Sequence, residues 1–238
     1  TPIKFNNNVK VRGSNTAIGT LANCAGGVTP WKTFLTCEEN YQYFYGERDR
    51  KTDKISSTRD KWETFYPNPP EHYGWVVEID PKTAIAKKHT NLGRFSHESA
   101  TCAKAKNGKV VVYSGDDKAD EHLYKFISES DKDFDKGVLY VADITKGKWV
   151  PLDLELSPIL KTKFSSQLEV VTYAREASKL LGATPLNRPE DIEIHPQTKD
   201  VYLTLTNNKK KGDYHGSILK LSEKGQDHAS LSFETETY

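Results

Sequence analysis

Methionine is absent from the 238 residues, and cysteine is scarce, with only Cys24, Cys37 and Cys102. An odd number of thiols leaves at least one sulfur outside any intramolecular disulfide scheme, and a metal thiolate is one use for it. A chain lacking methionine even at position 1 reads as a processed or excised piece of a longer protein. No apolar run approaches the roughly 18 residues needed to cross a bilayer, so no membrane contact is expected. Thr1-Pro2-Ile3-Lys4 carries no signal-peptide pattern. An excess of one charge sign is missing too: the formal net charge is +1, which argues against nucleic acid or an anionic membrane as a partner. The sole basic run, Lys209-Lys210-Lys211, ends at Gly212 as a solvated turn would. There is no Walker glycine loop and no Gly-x-Ser-x-Gly elbow, which argues against nucleotide-loop and serine-hydrolase chemistry. Paired cysteines and spaced histidines of the zinc-protein kind are also missing.

What the chain does contain is strand after strand. Thr33-Phe34-Leu35-Thr36, Gly74 to Pro81, Gly137 to Asp143 and Gly216 to Leu221 are rich in β-branched and aromatic residues and are closed by turn formers. One helix interrupts them. Ser166 and Glu169 form a capping box, and Leu168, Val171, Ala174, Ala177, Leu180 and Leu181 recur near helical spacing before Gly182. The polar, charged segment 47–71 reads as an inserted loop and 166–181 as an inserted helix, within a single domain spanning 1–238.

An imperfect repeat organises these strands. Ser96-His97-Glu98 followed by Lys109 to Asp117 aligns with Arg188-Pro189-Glu190 followed by Lys199 to Asn208. Each copy runs from a potential ligand through a short strand, a turn and a second strand to a polar exit. The Cys24 region fits the same frame, with Cys24 at the ligand position and Glu38-Glu39-Asn40 at the exit. Successive β-units of this kind predict a mainly β protein, a β-propeller or a large part of one. The intervals between ligand positions exceed the ~40–50 residues of a compact blade, which the inserted loop and helix explain. Inner strands of a propeller line one channel, so Cys24, Glu98 and Glu190 are expected to meet.

One thiolate and two carboxylates form a mixed set that suits a ferric ion, whereas calcium prefers oxygen alone. Glu38, Glu39, Asp116 and Asp117 supply such oxygens. Taken singly, each of these acids also reads as a turn residue in water, and Cys24 as a small buried apolar side chain. Cys37 and Cys102 read as core. His97 adjoins Glu98 but points away if the strand alternates, and His195 before Pro196 reads as a turn. Arg188 stands two residues before Glu190, where a guanidinium can grip two phosphate oxygens or pair with an acid.

The run from Asn23 to Asn40, with Ser96-His97-Glu98, Gly115-Asp116-Asp117, Arg188-Pro189-Glu190-Asp191 and Leu205-Thr206-Asn207-Asn208, resembles the PhoX-type alkaline phosphatases. The resemblance implies a propeller holding Fe3+ and Ca2+ around a bridging oxygen, and hydrolysis of small phosphomonoesters at alkaline pH. It implies metal ligation by Cys24, Glu39, Glu98 and Glu190, with Glu38, Asp116 and Asp117 as further candidates. Arg188 would bind substrate phosphate, and Arg188, Glu98 and Glu190 would be the catalytic residues. It also implies a periplasmic or extracellular location, and a further acidic ligand region beyond Tyr238, so that the domain would be incomplete at its C-terminus. Two other readings fit a propeller. A calcium-binding module recognising a partner or polymer would need no catalysis, and a calcium-only phytase-like enzyme would leave Cys24 without a role.

Overall fold

The computed structural model describes residues 1–238, and three mainly antiparallel sheets hold most of its strand residues. The first contains β1 (Pro2–Phe5), β2 (Thr16–Ile18), β3 (Asn23–Val28), β4 (Phe34–Glu38), β5 (Val76–Ile79) and β6 (Ala86–His89). Its order is β2-β1-β6-β5-β4-β3, with the β1–β2 hairpin added to the outer edge through parallel pairing of β1 with β6. The second contains β7 (Thr101–Lys104), β8 (Val110–Gly115), β10 (Leu123–Ser128), β11 (Gly137–Asp143) and β12 (Lys148–Pro151). The short β9 (Ala119–Glu121) leaves this meander to pair with β13 (Leu186–Asn187). The third runs through β14 (Pro189–Ile194), β15 (Val201–Leu205), β16 (Ser217–Glu223) and β17 (Phe233–Thr237). This is the mainly β, propeller-type architecture that the repeat predicts.

The meanders are blades laid side by side. Strand β8 shows why they stack, because its side chains alternate between two cores. Val110 and Val112 join Leu35, Val76, Tyr124 and Phe126 between the first and second blades. Val111 and Tyr113 join Ile192, Leu203 and Leu219 between the second and third. Burying each of these large apolar side chains stabilises the fold by about 1.5–3 kcal/mol.

The inner strands lie close together. Thr101 Oγ1 donates to Ile192 O at 2.6 Å, linking β7 to β14. A Cβ on Gly27 would come within 2.1 Å of Ala100 O, and one on Gly115 within 2.5 Å of Pro189 O. Glycine is therefore required where one blade's backbone meets the next.

The helical insertion between the second and third blades departs from the single helix expected over 166–181. It comprises α2 (Pro158–Lys161), α3 (Gln167–Thr172) and α4 (Ala174–Leu180), preceded far back in the chain by the short α1 (Gln42–Tyr45). The chain breaks at Tyr173, with φ −111° and ψ 45°. Ser166 caps α3 by accepting from Glu169 N–H at 3.2 Å, but the Glu169 carboxylate returns to Ser165, not to Ser166. The capping box is thus shifted by one residue. The 47–71 segment carries no strand and is tied down by arginines: Arg48 Nε donates to buried Glu71 at 2.7 Å, and Arg50 grips Glu176 of α4 at 2.7 and 2.9 Å.

Candidate active site

Strand β3 changes register against β4 between Asn23 and Gly26, and Cys24 sits in that irregular stretch. Its Sγ–H donates to Glu98 Oε1 at 3.0 Å. Glu98 belongs to the short segment before β7, which is anchored from several sides. Ser96 N–H donates to Asp116 Oδ1 at 3.2 Å, and Asp117 N–H donates to Ser96 O at 3.0 Å. His97 Nε2 donates to Gly93 O at 2.9 Å, while Nδ1 meets Ser114 Oγ at 2.8 Å. His97 is fully buried, and burial lowers its pKa to about 4. It is a neutral support pointing away from the cleft.

Glu39 follows the end of β4, where its N–H donates to Ala22 O at 3.1 Å. Ligand atoms of Cys24, Glu39 and Glu98 lie within 4.8 Å of one another. Glu190 stays outside this trio, held by Arg188 Nη2 at 2.9 Å, yet its charge leads the acidic influences on Glu98.

The electrostatics record unrelieved negative charge. Burial, then the charges of Glu98 and Asp117, push Glu39 up to about 7. Partial desolvation, then the hydrogen bond and charge of Glu98, push the Cys24 thiol up to about 12, although the residue as a whole is exposed. Glu98 is also raised, first by burial and then by Glu190, Asp117 and Asp191, against the opposing Cys24 hydrogen bond. Burial disfavours the charged form of each group, and the neighbouring carboxylates add to it. One sulfur and two carboxylates at this spacing could hold a metal ion.

Arg188 forms the opposite wall chemistry. Its backbone is left-handed, φ 55°, which costs an arginine roughly 1–3 kcal/mol. Nε and Nη2 each donate to Asp117 at 2.8 Å, so the guanidinium makes a two-pronged ion pair, while Nη1 has no partner in the protein. A cleft of about 550 Å³ opens between Arg188 and Asp117 on one side and Glu39, Asn40 and α1 on the other.

Two expected ligands are placed elsewhere. Glu38 is fully buried and saturated, accepting from Leu21, Gly74 and Trp75 N–H groups and from Lys88 Nζ at 2.7 Å. Asp116 is buried as well, with Arg175 bound to both oxygens at 2.6 and 2.7 Å. Both carboxylates hold the fold: Glu38 accepts four hydrogen bonds and Asp116 three. Asp117, in contrast, faces the cleft through Arg188. Cys37 lies in the core, Cys102 packs against it half-buried, and His195 holds its own turn by accepting from Thr198 N–H. Arg175 carries no sequence signal for its role, since its partner lies 59 residues away.

A family model described as alkaline phosphatase PhoX matches residues 4–238. The chain belongs to this family. A search of curated proteins finds no match. Among solved structures, Pseudomonas fluorescens PhoX in complex with vanadate, a transition state analogue, is similar at 31% identity and a TM-score of 0.87. The alignment covers 100% of this chain and 52% of that one, so the chain spans about half the length of its PhoX relative. The Cys24–Glu98 contact and the Arg188 ion pair fall on residues that carry the PhoX resemblance.

Proposed function

We propose that this chain supplies much of the active site of a metal-dependent phosphomonoesterase, an alkaline phosphatase using iron and calcium. The observation that carries this reading is the trio of Cys24, Glu39 and Glu98 beside a cleft that Arg188 borders. The vanadate complex of the PhoX relative supports phosphate-like transition-state binding in this family. Cys24 with Glu98 would hold ferric iron, and Glu39 and Glu190, with Asp117 nearby, would hold calcium. Such cations would supply Lewis-acid chemistry there, offsetting the charge of the phosphate group.

The chain's own groups account for the rest. Arg188 is held above its ordinary value, first by the Asp117 hydrogen bonds, so it remains a cation throughout the alkaline range. Its unpartnered Nη1 is available to a phosphate oxygen. Glu39, at about 7 without metal, sheds its proton on going to alkaline pH, which strengthens cation binding there. Asp117 and Glu190 orient the guanidinium. Expression outside the cytoplasm, in the periplasm or beyond the cell, fits the resemblance.

The test is hydrolysis of 4-nitrophenyl phosphate by the intact protein, with metal analysis and a visible spectrum. Activity that falls with chelation, together with bound iron and thiolate-to-iron absorption, is expected. A colourless protein that holds calcium, lacks iron and hydrolyses nothing would replace the enzyme with a calcium-binding recognition module.

A further inference from the structure

Two consecutive residues of α1, Gln42 and Tyr43, line the cleft across from Arg188 and Asp117. Neither takes part in the ion pairs described above. Gln42 is half-buried, its side-chain amide makes no hydrogen bond within the protein, and Oε1 is nearly shut off from solvent. An unpaired buried acceptor is a cost to the folded chain, and a donor entering from outside removes it. The terminal torsion of the amide is soft, so a turn about it presents the oxygen to the cleft. Tyr43 is the one aromatic residue on the cleft wall and is 41% exposed. Its ring is nevertheless held. Tyr43 O accepts from Arg59 N–H at 2.9 Å and Asp60 N–H at 3.0 Å, and the Arg59 guanidinium lies over the ring, 4.4 Å from its centroid. Asp60 meets the Arg59 charge at 2.9 Å.

An orphaned acceptor beside a held aromatic ring suits a neutral ring that carries hydroxyls, because the polar group fixes its orientation and the aromatic face covers its carbons. Arg188 draws the phosphate end of an ester to the far wall. At about 550 Å³ the cleft has room for the alcohol end as well. We propose that α1 is the leaving-group subsite, where Gln42 accepts a hydrogen bond from a hydroxyl of the alcohol and Tyr43 packs against its ring. Sugar phosphates are then favoured over phosphates of simple alkyl alcohols. This rests on the phosphomonoesterase reading of the site and gives that site its specificity-determining residues.

Hydrolysis-resistant phosphonates test it by calorimetry on the intact, metal-loaded protein. Ethylphosphonate offers the charged group alone, and the isosteric phosphonate of glucose 6-phosphate adds the hydroxylated ring. The wild type should prefer the sugar probe. Tyr43→Ala and Gln42→Ala should each weaken that probe about tenfold, the scale of one ring contact or hydrogen bond, and leave ethylphosphonate within about twofold. Tyr43→Phe should retain the preference, and Arg188→Ala should weaken both probes. Equal binding of the two probes by the wild type overturns the assignment. So does either alanine variant that weakens both probes equally or weakens neither. A parallel hydrolysis assay with glucose 6-phosphate and ethyl phosphate separates the two readings. If neither ester is hydrolysed while the phosphonate preference holds and depends on Gln42 and Tyr43, the phosphomonoesterase reading fails and the ring contact stands. If both are hydrolysed and the alanine variants keep the phosphonate preference, the α1 assignment alone fails.

Discussion

Arg175 of α4 clasps both oxygens of Asp116, Nη2 at 2.6 Å and Nε at 2.7 Å, and the same Nη2 reaches Ser96 Oγ at 3.0 Å. The helical insertion is thereby bolted to the segment that presents Glu98. Removing one partner of a buried pair strands the other charge, at a cost of about 3–5 kcal/mol. Arg175→Ala is therefore expected to lower the urea midpoint strongly and to weaken metal retention through displacement of Glu98. A loss below about 1 kcal/mol, the scale of a surface pair, would show that the clamp is not structural.

The blade frame is legible in the sequence because it is local. Gly137 to Asp143 reads as a strand and forms β11 over those residues, since alternating β-branched residues need only their neighbours to define a strand. The Cys24–Glu98 meeting is legible through the repeat, which places both at equivalent blade positions. The fate of Glu38 is not. Thr36 pairs with Val77, and Val77 with Lys88, so Glu38 shares a sheet face with a lysine two strands away. That column exists only once β4, β5 and β6 are in register, and until then Glu38 is indistinguishable from its neighbour Glu39. Arg175 was hidden in the same way: its helix pattern marks where the chain coils, not what lies opposite. The break at Tyr173 had no proline or glycine to announce it, and its hydroxyl reaches toward Glu71 at 3.4 Å, a long-range partner that helical spacing cannot reveal.

Cys24→Ser should abolish iron binding and phosphatase activity while keeping the fold, because the residue is exposed and only the soft donor changes. Cys102→Ser should do neither. Elemental analysis and the visible band measure the outcome. Equal iron in the wild type and the Cys24 variant would remove the thiolate from the site.

Glu78 ties the first blade together and gives the fold an acid limit. It accepts from Trp31 Nε1 at 2.6 Å, Thr33 Oγ1 at 2.6 Å and His89 Nε2 at 2.7 Å. Burial favours the neutral acid, but the bonds from His89, Thr33 and Trp31 outweigh it and hold the carboxyl down at about 2. A folded value below the unfolded one means stability that is present above the ordinary glutamate range and lost as pH falls through about 2. Glu78→Gln should be less stable than wild type near neutrality and lose less between about pH 5 and pH 2, as read by circular dichroism. Parallel pH curves for the two proteins would show that the acid limit arises elsewhere.

Arg188 separates substrate binding from metal assembly. Its Nε and Nη2 are committed to Asp117 and Glu190, leaving Nη1 as the donor for phosphate. Arg188→Ala deletes that donor but no acid, and it makes the surroundings of Glu39, Glu98 and Glu190 more negative. Bound iron and calcium should therefore persist, while phosphate inhibition weakens and catalytic efficiency falls by about 10²-fold, the scale of a lost charge-assisted contact to a developing anion. Arg188→Lys should recover only part, because a point charge cannot hold two oxygens of Asp117 and a phosphate oxygen at once. Glu190→Gln should behave differently, with metal loss accompanying activity loss, since it removes an acid and spares the guanidinium. An Arg188→Ala protein with normal kinetics and normal phosphate inhibition would reduce Arg188 to the ion pair it makes with Asp117.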